Sequence, residues 1–311
     1  MKKIMFLILL LANYCAFSQV NYSTVDDFNR TDNYTMGTTS SGNSTWTENE
    51  ESGHPEQLQI ASNVLLAITG GVSGLEPTNA SIDLTNEVSG FDLGNGTYGW
   101  SFHFHLYRNP SGWGSSNYSL GWVLVGNEND FSSSTVDGWA VLWTATNDEL
   151  VLGYFTDGIS GTNPLTNVVQ TGLDWDNSGS DGVNVRIEVD ASGNWTFYWE
   201  LGPAISVPTD IDANSATSSS ADNTFFDDVN MKYSGPIWAH STSSSSTSKG
   251  DFDNFNFGET VSGGVDNPTN FTAVTAGTDQ IDLSWTQNAS GNDVMVAYTT
   301  DGTFGTPVDG T

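Results

Sequence analysis

The sequence predicts an all-β protein, a two-sheet antiparallel jelly-roll sandwich. Three observations carry that reading. Beyond an apolar leader no stretch sustains a helical period, whereas strict apolar/polar alternation recurs. Aromatic residues make up 12 % of the chain, with 11 Trp among them, which is ample apolar surface for a core. Segments rich in Ser, Thr, Asn and Gly interrupt the alternating runs at short intervals, as turns between strands do.

Residues 1–18 read as a signal peptide. Lys2 and Lys3 precede an apolar run from Ile4 to Leu11, and Ala16, Phe17 and Ser18 form an A-x-S cleavage site before Gln19. The run is too short to span a bilayer, so no membrane insertion is expected. Tyr14 is too bulky a neighbour for Cys15 to serve as a lipid anchor. Cleavage would remove the single cysteine of the chain and leave nothing that depends on redox state. The expected location is secreted, or on the extracellular cell surface.

Without the leader's lysines, Arg30, Arg108, Arg186, Lys232 and Lys249 face 37 acidic residues. A field of that sign repels nucleic acid and anionic membranes, which are bound by clustered Lys and Arg. Neutral glycans or cations fit it better. The acids are spread singly through turn-forming segments, which argues against a disordered acidic tail.

The clearest alternation is Trp100–Tyr107: Trp100, Phe102, Phe104 and Leu106 fall on one face, and Ser101, His103, His105 and Tyr107 on the other. The first face is expected to be core and the second wet. A hairpin joins Val183–Val189 to Trp195–Leu201. Pairing Val189 with Trp195 sets Ile187 against Phe197 and Val185 against Trp199 inside, with Glu188 against Thr196, Arg186 against Tyr198 and Asn184 against Glu200 outside. Both faces agree on one register, and Gly193 suits a positive φ in the turn. Further strands are expected at Tyr22–Asn29, Ser44–Glu48, Asn63–Thr69, Ala80–Leu84, Tyr118–Val125, Gly138–Thr146, Glu149–Thr156, Val229–Tyr233 and Asp251–Phe257. About a dozen strands is too many for an immunoglobulin-size domain and suits one larger sandwich.

The opening Val25–Arg30, the strand at Asn63–Leu66, the 183–201 hairpin and the closing Gly250–Gly258 together resemble the concanavalin A-like lectin/glucanase superfamily, in particular laminin G-like modules of secreted bacterial proteins. The resemblance covers residues 19–259 and implies two curved antiparallel sheets with first and last strands adjacent. After a linker at 260–267, Pro268–Val274, Gln280–Trp285 and Asp293–Tyr298 look like the first three strands of a fibronectin type III domain. Such a domain needs about 90 residues. Residues 268–311 are therefore expected to be an incomplete one, cut short by truncation.

The chemistry is sparse. Glucanases of this superfamily carry an E-x-D-x-x-E strand motif, and the nearest match, Glu128, Asp130 and Ser133, lacks the third carboxylate and follows a strand in a polar loop. Glu188 and Glu200 share the outer hairpin face without being opposed, and cross-strand polar pairing with Arg186 over Tyr198 explains them as well as catalysis does. No catalytic residue is assigned. His103 and His105 are too few ligands for a zinc site. A ligand-binding face of His103, His105, Tyr107, Arg186, Tyr198 and Glu200 is expected instead, with flat rings and hydrogen-bonding groups suited to sugars.

Calcium is the expected metal, in a structural role. Asp174, Asp176 and Asp181, with Ser178 and Gly179, follow the first half of a D-x-[DN]-x-[DNS]-G loop, although Val185 stands where the bidentate Glu would. Asp210, Asp212 and Asn214 form a poorer echo. A third group would join Asp26 and Asp27 to Asp251 and Asp253, if first and last strands are neighbours as the resemblance implies. The functional expectation is a non-catalytic extracellular carbohydrate-binding or adhesion module of a multidomain protein. A glycoside hydrolase or lyase on the same sandwich, or an accessory module of a hydrolase, is the alternative.

Overall fold

The computed structural model describes residues 20–50, 57–68, 77–106, 118–144, 149–159, 165–174, 181–240, 248–260, 269–275 and 281–286. The chain divides into two compact units, one of which is Val20–Thr260. In the other, Thr269–Thr275 and Ile281–Thr286 pair as an antiparallel hairpin.

The larger unit is the expected antiparallel sandwich. Its described strands are β1 (Val20–Asp26), β2 (Thr47–Asn49), β3 (Leu58–Ala61), β4 (Val64–Ile68), β5 (Thr78–Asp83), β6 (Tyr98–Leu106), β7 (Tyr118–Gly126), β8 (Gly138–Thr144), β9 (Glu149–Phe155), β10 (Thr166–Asp174), β11 (Val183–Val189), β12 (Trp195–Leu201), β13 (Asn214–Thr217), β14 (Tyr233–His240) and β15 (Ser248–Thr260). One sheet runs β13-β12-β11-β6-β15-β4-β3, with β1 also on β15; the other runs β10-β9-β8-β7-β14-β5-β2. First and last strands are neighbours: β15 pairs with β4 through Phe252 and then with β1 from Phe255 onward. The 183–201 hairpin has the expected register at every position, from Val189 opposite Trp195 to Asn184 opposite Glu200.

Aromatic side chains fill the space between the sheets. Trp122 of β7 stacks on Phe102 of β6 at 5.1 Å and lies 4.5 Å from Phe255 of β15, so one indole bridges the two sheets. Trp139 of β8 and Trp195 of β12 stack at 4.3 Å and make the second bridge. On β15 the inward residues Phe252, Phe255 and Phe257 break strict alternation by one position. Asn254 absorbs the extra residue as a bulge at φ 52°, a conformation Asn tolerates.

The strand expectations are corrected in two ways, one strand misplaced and others missed. Val229–Tyr233 is not a strand: Asp228 accepts from the backbone N of Asn230 and its carbonyl from that of Met231, a turn that leaves Val229 85 % exposed. The strand begins at Tyr233, and it carries Gly235 and Pro236 in a central position where Pro is unusual. Gly235 is required there, since a Cβ would strike the Ala80 carbonyl and the Trp46 ring. Strands β3, β10 and β13 also form where no strand was expected.

The wet outer face is corrected as well. Ser101, His103, Asn184, Arg186, Asp251 and Asn256 point away from the core, yet all are buried. The chain after β12 lies across His103, Asn184 and Arg186. Arg186 Nε donates to the Ile211 carbonyl at 3.3 Å, Asn184 Nδ2 to that of Pro203 at 2.9 Å, and Asn184 Oδ1 accepts from Ile205 N at 2.7 Å. Alternation located the face correctly; only the tertiary cover was missing from it. The second sheet is also covered on its outer side, where Phe131, Val136, Ile159 and Leu165 from loops pack on Val123, Ala140, Leu142 and Ile237.

Candidate ligand pocket at the loop end

Three segments distant in sequence meet where β11 ends and β6, β12 and β14 begin: the chain leading into β6, the β11–β12 turn, and the chain leading into β14. They enclose an open pocket of about 480 Å³ lined by Asp92, Gly94, Asn95, Ala191, Asn223, Phe226, Asp227 and Val229.

Each wall is fixed by local chemistry. Asp92 closes its own Asx turn, accepting from Gly94 N at 3.0 Å and from the Asn95 side-chain amide, while its backbone N donates to Tyr98 Oη at 3.1 Å. Gly94 has to be glycine, because a Cβ would approach the Phe226 carbonyl at 2.7 Å. Asp190 shapes the hairpin turn by accepting from Ser192 N, Asn194 N and Asn194 Nδ2. Burial opposes its ionisation, but the bonds from Asn194 and the turn backbone outweigh that and hold its carboxyl below the ordinary range. Gly193, at φ 82°, lets the turn meet the backbone of Asp222, whose N donates to the Gly193 carbonyl at 2.8 Å.

The third wall is anchored from below by the stacked core indoles. Trp195 Nε1 donates to the Asp222 carbonyl at 3.0 Å and Trp139 Nε1 to that of Thr224 at 2.9 Å. Phe226 packs edge-on against both rings and forms an apolar floor. Asn223, Asp227 and Val229 are left exposed at the rim. The pocket thus presents carboxylates and amides beside a small apolar surface, on backbone tied down by the hydrogen bonds of its turns and of the two indoles. Its lining holds no histidine or other general base beyond the carboxylates.

The residues expected to bind ligand lie elsewhere. His103 is buried, with Nε2 2.8 Å from the Asp181 carbonyl and 3.3 Å from that of Gly202. Burial pushes its imidazole pKa down, with those carbonyls opposing. His105 is half-buried and lies 3.6 Å from Asp251. Arg186 is buried, bonded to Glu188 at 2.6 Å and stacked 3.6 Å above the Tyr198 ring, so the cation occupies the ring face a sugar would need. Glu188 is further used by Tyr22 Oη at 3.1 Å. Tyr198 and Glu200 are half-buried. Tyr107 lies outside the described residues. The placement of His103 and Arg186 on an accessible face is therefore corrected, for both are buried beneath the covering chain.

Of the calcium loop, Asp176 lies outside the described residues, Asp174 is described only as the backbone end of β10, and Asp181 is exposed. Asp26 is fully buried and accepts from Arg30 Nη1 and Nη2, Trp46 Nε1, Phe28 N and Ser40 Oγ, which leaves no lone pair for a cation. Among the described residues no group of three or more His, Cys, Asp or Glu is placed to hold a metal ion. Glu128 accepts from Thr135 and Asp130 from Ser132 and Asn79, so both serve the loop they sit in.

Sequence reasoning missed the whole pocket. Its local signals were the Asx turns of Asp92, Asp190, Asp222 and Asp228 and the apolar Val229 set among acids.

No protein-family model matches the chain, and no curated protein matches it in sequence. Among solved structures, similar ones include the carbohydrate recognition domain of Emp47p, at 10 % identity over 79 % of this chain and 99 % of that one, TM-score 0.44. The lectin-like defence protein arcelin-5 of Phaseolus vulgaris has 8 % identity over 76 % and 98 %, TM-score 0.42. The CBM2 module of the evolved Dit of Lactobacillus casei BL23 phage J-1 has 14 % identity over 78 % and 98 %, TM-score 0.44. At this distance the fold is read from the strand pairing itself.

Proposed function

We propose that this chain is an extracellular, non-catalytic glycan-binding module and that the loop-end pocket seats a sugar. The observation that supports the reading is the lining: acceptors and amides from Asp92, Asn95, Asn223 and Asp227 stand beside the apolar Phe226 and Val229. A pyranose has the matching character, with a ring of hydroxyls and an apolar C–H face. The test is a glycan panel read with the wild type, Asn223→Ala and Tyr198→Ala. Binding weakened about tenfold by Asn223→Ala, about 1.4 kcal/mol, and unchanged by Tyr198→Ala is expected. The reverse pattern would return the site to the β12 face, and no binding at all would leave a structural spacer.

The proposal includes export through the 1–18 leader, tested by N-terminal sequencing with Gln19 expected. It also includes a fibronectin type III-like segment from Pro268 within a multidomain protein, and structural calcium at the Asp174–Asp181 loop. A melting temperature that rises with calcium and falls back with chelator is the expected result for the last.

A further inference from the structure

The pocket has a charge character that goes beyond glycan binding in general. We propose that it selects sugars bearing a free amine over N-acetylated, uncharged or uronic-acid sugars; this rests on the glycan reading of the same pocket. Both charged side chains that line it, Asp92 and Asp227, are carboxylates. The basic side chains whose contacts are described are committed elsewhere: Arg30 to Asp26 at 2.6 Å, Arg186 to Glu188 at 2.6 Å and Lys232 to Asp83 at 2.7 Å. None of the three lines the pocket.

An ammonium group is a donor only, so a wall that offers acceptors and no competing cation suits it. Asp92 is held in position by Gly94 N and the Asn95 amide before any ligand enters. Asp227 stands exposed on another part of the wall, and the side-chain carbonyl of Asn223 is available as a neutral acceptor. An acetyl group removes the positive charge and the donors together, and a uronate brings a like charge against both acids. Phe226 and Val229 serve the ring in either case, so they do not discriminate. The formal charge of −30 on the whole chain adds a field that gathers cations toward any cleft.

The experiment is an NMR or calorimetric titration of the full chain with the glucosamine disaccharide, its N-acetylated counterpart and a galacturonic acid disaccharide, at low and high salt. About tenfold tighter binding of the free-amine sugar at low salt is expected, narrowing as salt screens the contact. Asp227→Asn should erase the preference without moving the melting temperature, while Asp212→Asn, an exposed acid outside the pocket, should keep it. Equal loss in both variants would mean that the preference reflects overall charge and would overturn the proposal. So would N-acetylated or neutral sugars binding as tightly, a result that leaves the glycan reading standing. Binding of no sugar overturns both.

Discussion

Asp253 sits on β15 two positions after Asp251, with Asp26 and Asp27 at the end of β1 nearby. Burial holds its carboxyl up at about 6; a bond from Asn254 N at 2.8 Å opposes this, and repulsion from Asp251, Asp27 and Asp26 adds to it. A carboxyl with a raised native pKa stabilises the fold fully below its unfolded value near 3.8, and that contribution is lost as pH rises through about 6. At neutral pH the native state therefore bears the cost of an unwelcome charge. Asp253→Asn keeps the acceptor for Asn254 N and removes the charge. It should raise the melting temperature at pH 7.5 by about 2–4 °C, taking about 1 kcal/mol after allowing for solvent screening, and should change it little at pH 4. An equal gain at both pH values would show that repulsion is not the cause. The sequence already suggested that these four acids meet. What it hid was the outcome, since Asp26 is spent on Arg30, Trp46 and its own turn, and Asp253 is left to carry the repulsion.

At the scale of elements, legibility followed how many independent signals agreed. The β11–β12 hairpin was readable to the residue because its turn, its inner apolar pairs and its outer polar pairs all demanded one register. Strand β14 was hidden by Gly235 and Pro236, which locally signal a break, while its pairing with β5 and β7 depends on residues more than 100 positions away. The pocket was hidden for the same reason: its walls come from three segments that no local pattern connects. What holds one wall is a pair of core indoles donating to loop carbonyls, and this can be tested. Trp195→Phe retains an aromatic ring in the stack but removes the donor to the Asp222 carbonyl. It should cost about 1 kcal/mol for the lost bond, more if the smaller ring leaves a gap, and weaken sugar binding by loosening Asn223. Trp100→Phe is the comparison, because Trp100 is also fully buried and its Nε1 has no described partner. Sugar binding reduced by Trp195→Phe but not by Trp100→Phe is the expected result of the titration; equal reductions would point to general core damage.

For the whole molecule, composition was an accurate guide to class and a poor guide to exposure. Alternation assumed one wet face per sheet, but the chain after β12 covers polar residues on one sheet and loops bury an apolar cluster on the other. Charge is the remaining molecular property with a consequence. Thirty-seven acids against seven basic residues give a formal charge of −30, and the ion pairs of Arg30, Arg186 and Lys232 neutralise only their immediate partners. The remaining acids repel one another across the surface, and folding brings them closer than the unfolded chain does. Screening length falls from about 30 Å at 0.01 M salt to about 8 Å at 0.15 M, so most of this repulsion should vanish across that range. In the Arg30–Asp26 pair the carboxylate is fully buried and the guanidinium partly exposed, so this contact should respond to salt less than the surface acids do. The melting temperature should therefore rise between 0.01 M and 0.15 M sodium chloride at pH 7.5 and flatten above it. The rise should shrink at pH 4, where many carboxylates are protonated. A melting temperature that falls with salt would mean that attraction within ion pairs, rather than repulsion among unpaired acids, dominates the electrostatics of the fold.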